Sequence, residues 1–252
     1  MIDLSGQHVF IAGGSRGIGA ASARYCAKAG ANVSVNYVSR ADAADALVEE
    51  LKGYGVNAIA VKADISVEGE ADRAVDEAVA ELGPLNGLVV SAGIFEGNPL
   101  EEMTSDFWDR TMAVNLRGTF LTVKAGARQM RAAGRGGSIV IYSSTAGQRG
   151  SDVFSAYATS KGGQIMFMRS MARELAPDRI RVNCIAPAWT ETDMAAPSLD
   201  ALGRDDIAKN FALGRIGLPN DIAGPTVFML SDLAGFVTGV TLTVDGGMDM
   251  RG

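Results

Sequence analysis

The sequence predicts a single doubly wound α/β domain over residues 1–252, with a mostly parallel seven-stranded sheet and helices on both faces. Three observations predict it. Runs such as "HVFIAG", "NGLVVSAG" and "GSIVIYSS" are continuously apolar rather than alternating, as strands covered on both faces must be. Helical patterns separate these runs throughout the chain, the signature of parallel strands joined by helical crossovers. With 252 residues, 47% hydrophobic and 21% charged, the chain suits one domain with a substantial core.

The elements follow in order. "HVFIAG" reads as the first strand, and "IGAASARYCAKAG" as a helix that Gly30 stops. "NVSVNY" is the second strand, followed by the helix "ADAADALVEELKGYG" with Leu47, Val48 and Leu51 inward. "NAIAVKAD" is the third strand, "VEGEADRAVDEAVAELG" a helix and "NGLVVSAG" the fourth strand. A long helical region covers 105–133, then "GSIVIYSS" is the fifth strand and 153–176 a second long helix. "RIRVNCIAP" is the sixth strand, and residues 190–213 form an irregular excursion expected to be a substrate lid. "PNDIAGPTVFMLSD" is a helix that Pro225 kinks unless it starts late, and "GVTLTVDGG" is the last strand.

Composition excludes several functions. The net charge is -6 and no basic stripe occurs, which argues against nucleic acid as a partner. Cys26 and Cys184 sit in apolar contexts and read as small buried hydrophobes. His8, the only histidine, precedes a strand and reads as structural; no metal site and no Ser–His nucleophile is expected. No apolar run approaches the ~20 residues of a membrane helix, and the polar segment Met1–Gly6 is not a signal peptide. A cytoplasmic protein without membrane partners is expected.

"AGGSRGIG" lies between the first strand and the first helix, with glycines at 13, 17 and 19. Glycine is needed where φ is positive and where a pyrophosphate must approach the backbone. The helix start that follows offers free N–H groups and the positive end of the dipole. This position makes the loop a nucleotide cradle rather than an ordinary turn.

A resemblance now extends the reading. "AGGSRGIG", "SAG" at 91–93, "VNLRG" at 114–118, "YSSTAG" at 142–147 and "YATSK" at 157–161 occur in the order of the short-chain dehydrogenase/reductase family. "IAPAWTET" at 185–192 and "VTLTVDGG" extend the match to the whole chain. The resemblance implies a Rossmann-type fold and a nicotinamide cofactor along Gly13, Ser15, Arg16, Gly17, Ile18, Gly19, Asp64, Ile65, Ser91, Ala92, Gly93, Pro187, Ala188, Thr190 and Thr192. Asp64 resembles the family residue that hydrogen-bonds the adenine, and Thr192 a threonine that contacts the cofactor. Two departures stand out: Ser91 where the family commonly has Asn, and Ala188 where it commonly has Gly. Ala188 requires a negative φ.

An NAD enzyme of this fold usually carries an acid after the second strand. Here Asn36 and Tyr37 fill that place, followed by Ser39 and Arg40, with no carboxylate before Asp42. Arg16 and Arg40 would pair with a 2′-phosphate. NADP(H) is therefore favoured over NAD(H).

The catalytic group follows from topology. Ligands of open α/β sheets bind beyond the carboxyl ends of the strands, where the loop at 13–19, "SAG", "SST" and "PAW" converge. Tyr157 can face the same crevice as general acid, with Lys161 one helical turn away lowering its pKa from the usual ~10. Ser144, which the resemblance prefers to Ser143 because it precedes Tyr157 by the family's usual interval, can hydrogen-bond the substrate oxygen. By resemblance, Lys161 also holds the nicotinamide ribose and Asn115 supports a proton-relay water. The small Ala158, Gly162 and Gly163 leave room for the cofactor or for a packed helix.

The substrate wall is expected from Ile94, Phe95, Ala146, Phe154, Trp189 and Met194, with Trp189 either walling the nicotinamide pocket or simply packed. The motifs look like those of 3-oxoacyl-carrier-protein reductases and related carbonyl reductases. The expected reaction is reduction of a small-molecule ketone to a secondary alcohol. Arg135 could dock an acidic carrier protein, although Asp178 beside Arg179 weakens that version. The alternatives are an NAD-dependent sugar or polyol dehydrogenase, and a non-catalytic nucleotide-binding regulator. By resemblance the two long helices pair between subunits and the last strand joins a second interface, giving a homotetramer.

Overall fold

The apolar runs fold as seven strands: β1 (His8–Ala12), β2 (Asn32–Tyr37), β3 (Ala58–Lys62), β4 (Gly87–Val90), β5 (Gly137–Tyr142), β6 (Ile180–Pro187) and β7 (Thr241–Val244). They form one sheet in the order β3-β2-β1-β4-β5-β6-β7, parallel at every pairing. The structure, a computed structural model, describes residues 2–250. Met1 and the last two positions of the expected 1–252 domain lie outside the described residues.

Successive side chains of each strand point to opposite faces, so each face has its own core. Phe10 and Ala12 of β1 pack with Leu88, Val90, Ile139 and Ile141 under α3 (Glu70–Leu82), α5 (Gly118–Ala133) and α7 (Ser155–Glu174). Val9 and Ile11 pack with Val33, Val35, Val89 and Val140 under α1 (Gly17–Lys28), α2 (Ala41–Lys52) and α10 (Pro219–Leu230). Leu47, Val48 and Leu51 of α2 lie in this second core, as the helical pattern predicted. Cys26 and Cys184 are buried, and burial pushes both thiols up to about 12.

Two elements differ from the sequence reading, and a third follows it. The region 105–133 is not one helix: α4 (Ser105–Met112) passes into a π-helical turn (Ala113–Arg117) before α5. Asn115 sits in that turn, fully buried and hydrogen-bonded on all sides, and it sets the local widening. The excursion is not irregular: α8 (Ala196–Leu202) and α9 (Arg204–Ala208) fold over a small core of Leu199, Ile207, Phe211 and Ile216. α10 starts at Pro219 and runs through Pro225, so that proline lies inside the helix.

His8 is structural. Its Nδ1–H donates to the Gly83 carbonyl at 2.9 Å, which leaves Nε2 to accept from the Ser34 hydroxyl at 2.6 Å. Burial lowers its pKa below the usual 6.5, and the Gly83 bond offsets this only in part. The unfolded chain therefore takes up a proton that the folded chain refuses. This contribution to stability is complete above about pH 6.5 and is lost as the pH falls through the folded-state value. The urea midpoint should drop between pH 7.5 and 5.5, and His8→Gln should flatten the drop.

Candidate active site

The strand order reverses beside β1, whose two neighbours β2 and β4 lead the chain in opposite directions. A cleft of about 480 Å³ opens there, beyond the carboxyl ends of the strands. Its floor is the glycine loop. Gly13 has φ +70°, and a Cβ on it would stand 2.6 Å from Ala92 Cα. Gly19 would drive a Cβ into the Gly13 carbonyl. Gly17, at φ +56°, faces the Thr192 methyl group. Arg16 caps α1 without a side-chain bond, and no acid occupies the first turn, so the helix start is left to an anionic ligand. These bare-backbone positions fit the pyrophosphate of a dinucleotide.

Asn36 is corrected in role. Its carboxamide is buried: Oδ1 accepts from Gly13 N–H at 3.2 Å, and Nδ2 donates to the Val61 and Ala63 carbonyls. It braces the loop and does not present a polar group to a ribose. Tyr37, Val38, Ser39 and Arg40 line the adjoining end of the cleft. Arg40 is engaged by Asp42 through two bonds, Nε to Oδ1 at 3.0 Å and Nη2 to Oδ2 at 2.9 Å. Arg16 is exposed and forms no ion pair among the described residues. Asp64 and Ile65 line the cleft, and Asp64 Oδ1 accepts from the Ser66 backbone and hydroxyl. Ser91 ties β4 to β1 through its backbone N–H on the Ala12 carbonyl at 2.9 Å, a link that needs no longer side chain. Ala188 avoids positive φ, which among the described non-glycine residues is confined to Val153 and Arg179. Gly93, Pro187 and Thr190 line the same cleft.

The structure brings Ser144, Tyr157 and Lys161 together. Ser144 follows β5 and caps α6 (Thr145–Arg149), its Oγ accepting from Ala146 N–H at 3.1 Å. The same hydroxyl lies beside the Tyr157 phenol and acts to lower its pKa. Ser143 is committed elsewhere, donating to the Lys161 carbonyl at 2.8 Å. Lys161 Nζ donates to the Tyr142 carbonyl at 2.7 Å and lies 5.6 Å from the centre of the Tyr157 ring.

The electrostatics correct the expectation that Lys161 lowers the tyrosine pKa in the cleft as it stands. Burial pushes Tyr157 up to about 12, and the Ser144 hydroxyl offsets only part of this. Burial also brings Lys161 down to about 8, against a smaller opposing effect of Cys184. Both groups are driven toward their neutral forms by desolvation. At neutral pH Tyr157 is therefore the protonated acid that carbonyl reduction requires.

Asn115 is braced by the protein. Oδ1 accepts from Ile94 N–H at 2.8 Å, and Nδ2 donates to the Ile94 carbonyl and to Ser160 Oγ. Its own carbonyl accepts from Thr119 Oγ1 at 2.7 Å and Gln164 Nε2 at 2.8 Å. These bonds fix the segment 93–95 against α7.

The substrate end is aromatic. Phe95 stacks on Phe154 at 4.5 Å and meets Tyr157 edge-on at 4.8 Å. Trp189 also meets Phe95 edge-on, at 5.6 Å, and lines the cleft. Ile94, Ala146 and Met194 complete that side.

Sequence reasoning missed several residues. Val114, Arg149, Ser151 and Asp193 also line the cleft. Gly147 lies against the backbone of α7, where its Cβ would stand 2.6 Å from the Lys161 carbonyl carbon. Its signal was a glycine three residues after the serine pair. Gly162 faces the Gly147 carbonyl and Gly163 faces Leu116, so the small residues of α7 serve packing within the chain. Arg135 is misplaced for carrier docking: it precedes β5, at the amino end of the strand, whereas the cleft opens at the carboxyl end.

Comparison with known proteins agrees with this geometry. Residues 12–249 match a family model described as Enoyl-(Acyl carrier protein) reductase. The chain is 38% identical over 249 residues to an L-rhamnose 1-dehydrogenase (NAD(P)(+)) of Azotobacter vinelandii, covering 97% of each. It is 37% identical over 244 residues to the 3-oxoacyl-[acyl-carrier-protein] reductase FabG of Staphylococcus aureus, covering 97% of this chain and 98% of that protein. A short-chain type dehydrogenase/reductase from Mycobacterium marinum superposes with a TM-score of 0.94 at 32% identity, covering 99% of this chain and 98% of the other. The chain belongs to the short-chain dehydrogenase/reductase family and is an NAD(P)-dependent oxidoreductase that interconverts carbonyl and alcohol groups.

Proposed function

We propose that the protein is an NADP(H)-dependent carbonyl reductase that converts a ketone to a secondary alcohol. The observation that carries this is the meeting of the Ser144 and Tyr157 hydroxyls, with Lys161 behind them, beside a glycine cradle in one cleft. The glycine loop, the uncapped start of α1 and Asp64 would hold the cofactor, which supplies a hydride when bound. Ser144 and Tyr157 together form a two-donor site for one carbonyl oxygen. As charge develops on that oxygen, Tyr157 Oη–H transfers its proton and Ser144 Oγ–H stabilises the anion. Lys161 supports the resulting phenolate, an effect that grows once the tyrosine has lost its proton. The test is loss of NADPH absorbance with a panel of ketones and acetoacetyl thioesters. Binding of NADPH without turnover of any of them would sink the proposal.

The cofactor preference rests on Arg16 and Arg40. Arg16 is free to meet a 2′-phosphate, whereas Arg40 is divided between that role and Asp42. Asp42→Asn should release Arg40 and tighten NADPH relative to NADH by about two- to fivefold, the range of an exposed ion pair. Fluorescence titration of both cofactors measures it. An unchanged ratio would put Arg40 out of reach of the phosphate.

A sugar dehydrogenase is the second reading, favoured by the likeness to the rhamnose enzymes. Oxidation of L-rhamnose with NAD(P)+ tests it directly. The segment 190–213 is read as the lid, since Thr190, Thr192, Asp193 and Met194 line the cleft and α8 and α9 follow them directly in the chain.

The assembly we propose is a homotetramer. Trp108, Phe120 and Met166 expose apolar surface on α4, α5 and α7. Phe236 is fully exposed near β7, an edge strand whose residues are all half-buried. Covering both patches needs two different interfaces. Light scattering should give four chains, and a monomer at micromolar concentration would refute this. Two buried, unpaired cysteines suit the reducing cytoplasm. Among the described residues no helix is long and apolar enough to cross a membrane.

A further inference from the structure

We propose that the stacked Phe95–Phe154 pair is the specificity element of the substrate site. It selects a carbonyl compound bearing a flat apolar group, aryl or conjugated, over saturated and polyhydroxylated ones. The proposal rests on the carbonyl-reductase reading of the cleft.

Four rings form a continuous surface that starts at the catalytic phenol. Phe95 is its centre, stacked on Phe154 with an interplanar angle of 5° and edge-on to Tyr157 and Trp189 at 76° and 86°. All four are half-buried and line the cleft, unlike core aromatics such as Phe10, which is wholly buried. A substituent on a carbonyl held at Ser144 and Tyr157 therefore meets this surface within one ring's length. Ring quadrupoles favour another ring placed offset or edge-on.

The pair is held from both sides. Val153 adopts φ +63°, a region that β-branched residues avoid. Its carbonyl accepts from Asn98 N–H at 2.8 Å, which joins the two loops that carry the phenylalanines. Gly97 lies under Phe154, where a Cβ would come within 2.9 Å of the ring. A strained residue kept in place by a cross-loop bond and a bare glycine orients Phe154 against Phe95.

Most charged and amide side chains beside the pair are engaged, the buried Asn98 Oδ1 being an exception. Glu96 pairs with Arg110, Arg149 with Asp249 at 3.7 Å, and Gln148 with Thr243 at 3.0 Å. Hydroxyl groups of a polyol pressed onto the rings would lose water without replacement.

The test compares acetophenone with cyclohexyl methyl ketone, equal in carbon skeleton but different in flatness and in conjugation of the carbonyl, so the change of their ratio on Phe95→Leu isolates the ring contact. With NADPH, kcat/KM for acetophenone should be higher by about five- to tenfold. In Phe95→Leu the ratio should collapse to within about twofold, chiefly through a higher acetophenone KM. An independent reading is saturable quenching of Trp189 emission by acetophenone, with Trp189→Phe as the blank for Trp108. Equal rates for both ketones in the unmodified enzyme would overturn the inference and leave the reductase reading standing. No reduction of either ketone would leave the reductase reading to the wider panel of ketones and thioesters, and the emission titration would then decide the aromatic site alone. Absence of quenching would overturn it.

Discussion

Replacing Tyr157 by Phe should lower kcat by about 10²- to 10⁴-fold, the usual worth of a positioned general acid. NADPH binding should survive, because the phenylalanine keeps the ring contact with Phe95 and removes only the hydroxyl that meets Ser144. Single-turnover kinetics would separate the two effects, and a loss confined to cofactor affinity would remove Tyr157 from the chemistry. The pH dependence follows from the same environment. Tyr157, pushed up to about 12, stays protonated across the neutral range. Lys161 is cationic below about pH 8 and neutral above it. Reduction should therefore hold level at neutral pH and fall as the pH rises through about 8, when the ammonium that supports the phenolate is lost. Lys161→Met should abolish that alkaline limb and lower the plateau.

Gly147→Ala should lower kcat by about 10²-fold without altering any group that touches the substrate. The reason is steric. A Cβ at 147 would stand 2.6 Å from the Lys161 carbonyl carbon and 2.8 Å from Gly162 N, both backbone atoms that have nowhere to move. The helix α6 that carries Gly147 is capped by Ser144, and α7 carries Tyr157 and Lys161, so any separation widens the gap between the serine and the tyrosine. A shift of about 1 Å suffices for a loss of that size. Circular dichroism and NADPH titration should show a folded protein that still binds cofactor. Unimpaired kcat would mean that the α6–α7 contact does not set the catalytic spacing.

The fold was legible because the strands are continuous apolar runs and the crossovers are helical, and both properties are local. The cleft was legible for a similar reason: the glycine loop, "SAG", "SST" and "PAW" each end a strand, and parallel strands end on one side. The brace role of Asn36 was not legible, since it depends on the Val61 and Ala63 carbonyls of a neighbouring strand. Nor was the commitment of Arg40 to Asp42, because a residue two positions away inside a helix start was read as too late to matter. The direction of the Tyr157 shift needed burial, which spacing does not give. A lysine four residues on suggested a charge beside the phenol, whereas its nearest partner is the Tyr142 carbonyl. The role of Gly147 was hidden because close approach of two helices belongs to pairs of elements, not to one stretch of chain.

The π-helical turn at Ala113–Arg117 has a consequence for how this chain can change length. Such a turn is an α-helix holding one residue too many. Deleting a residue between 113 and 117 would restore a regular helix, at no cost in backbone bonding. Because the turn absorbs the extra residue locally, α4 and α5 would keep nearly the same relative orientation after such a deletion. What would be lost is the widening in which Asn115 reaches Ile94 and Ser160. A shortening that tidies the local helix thus dismantles the brace behind the cleft while leaving the helices in place.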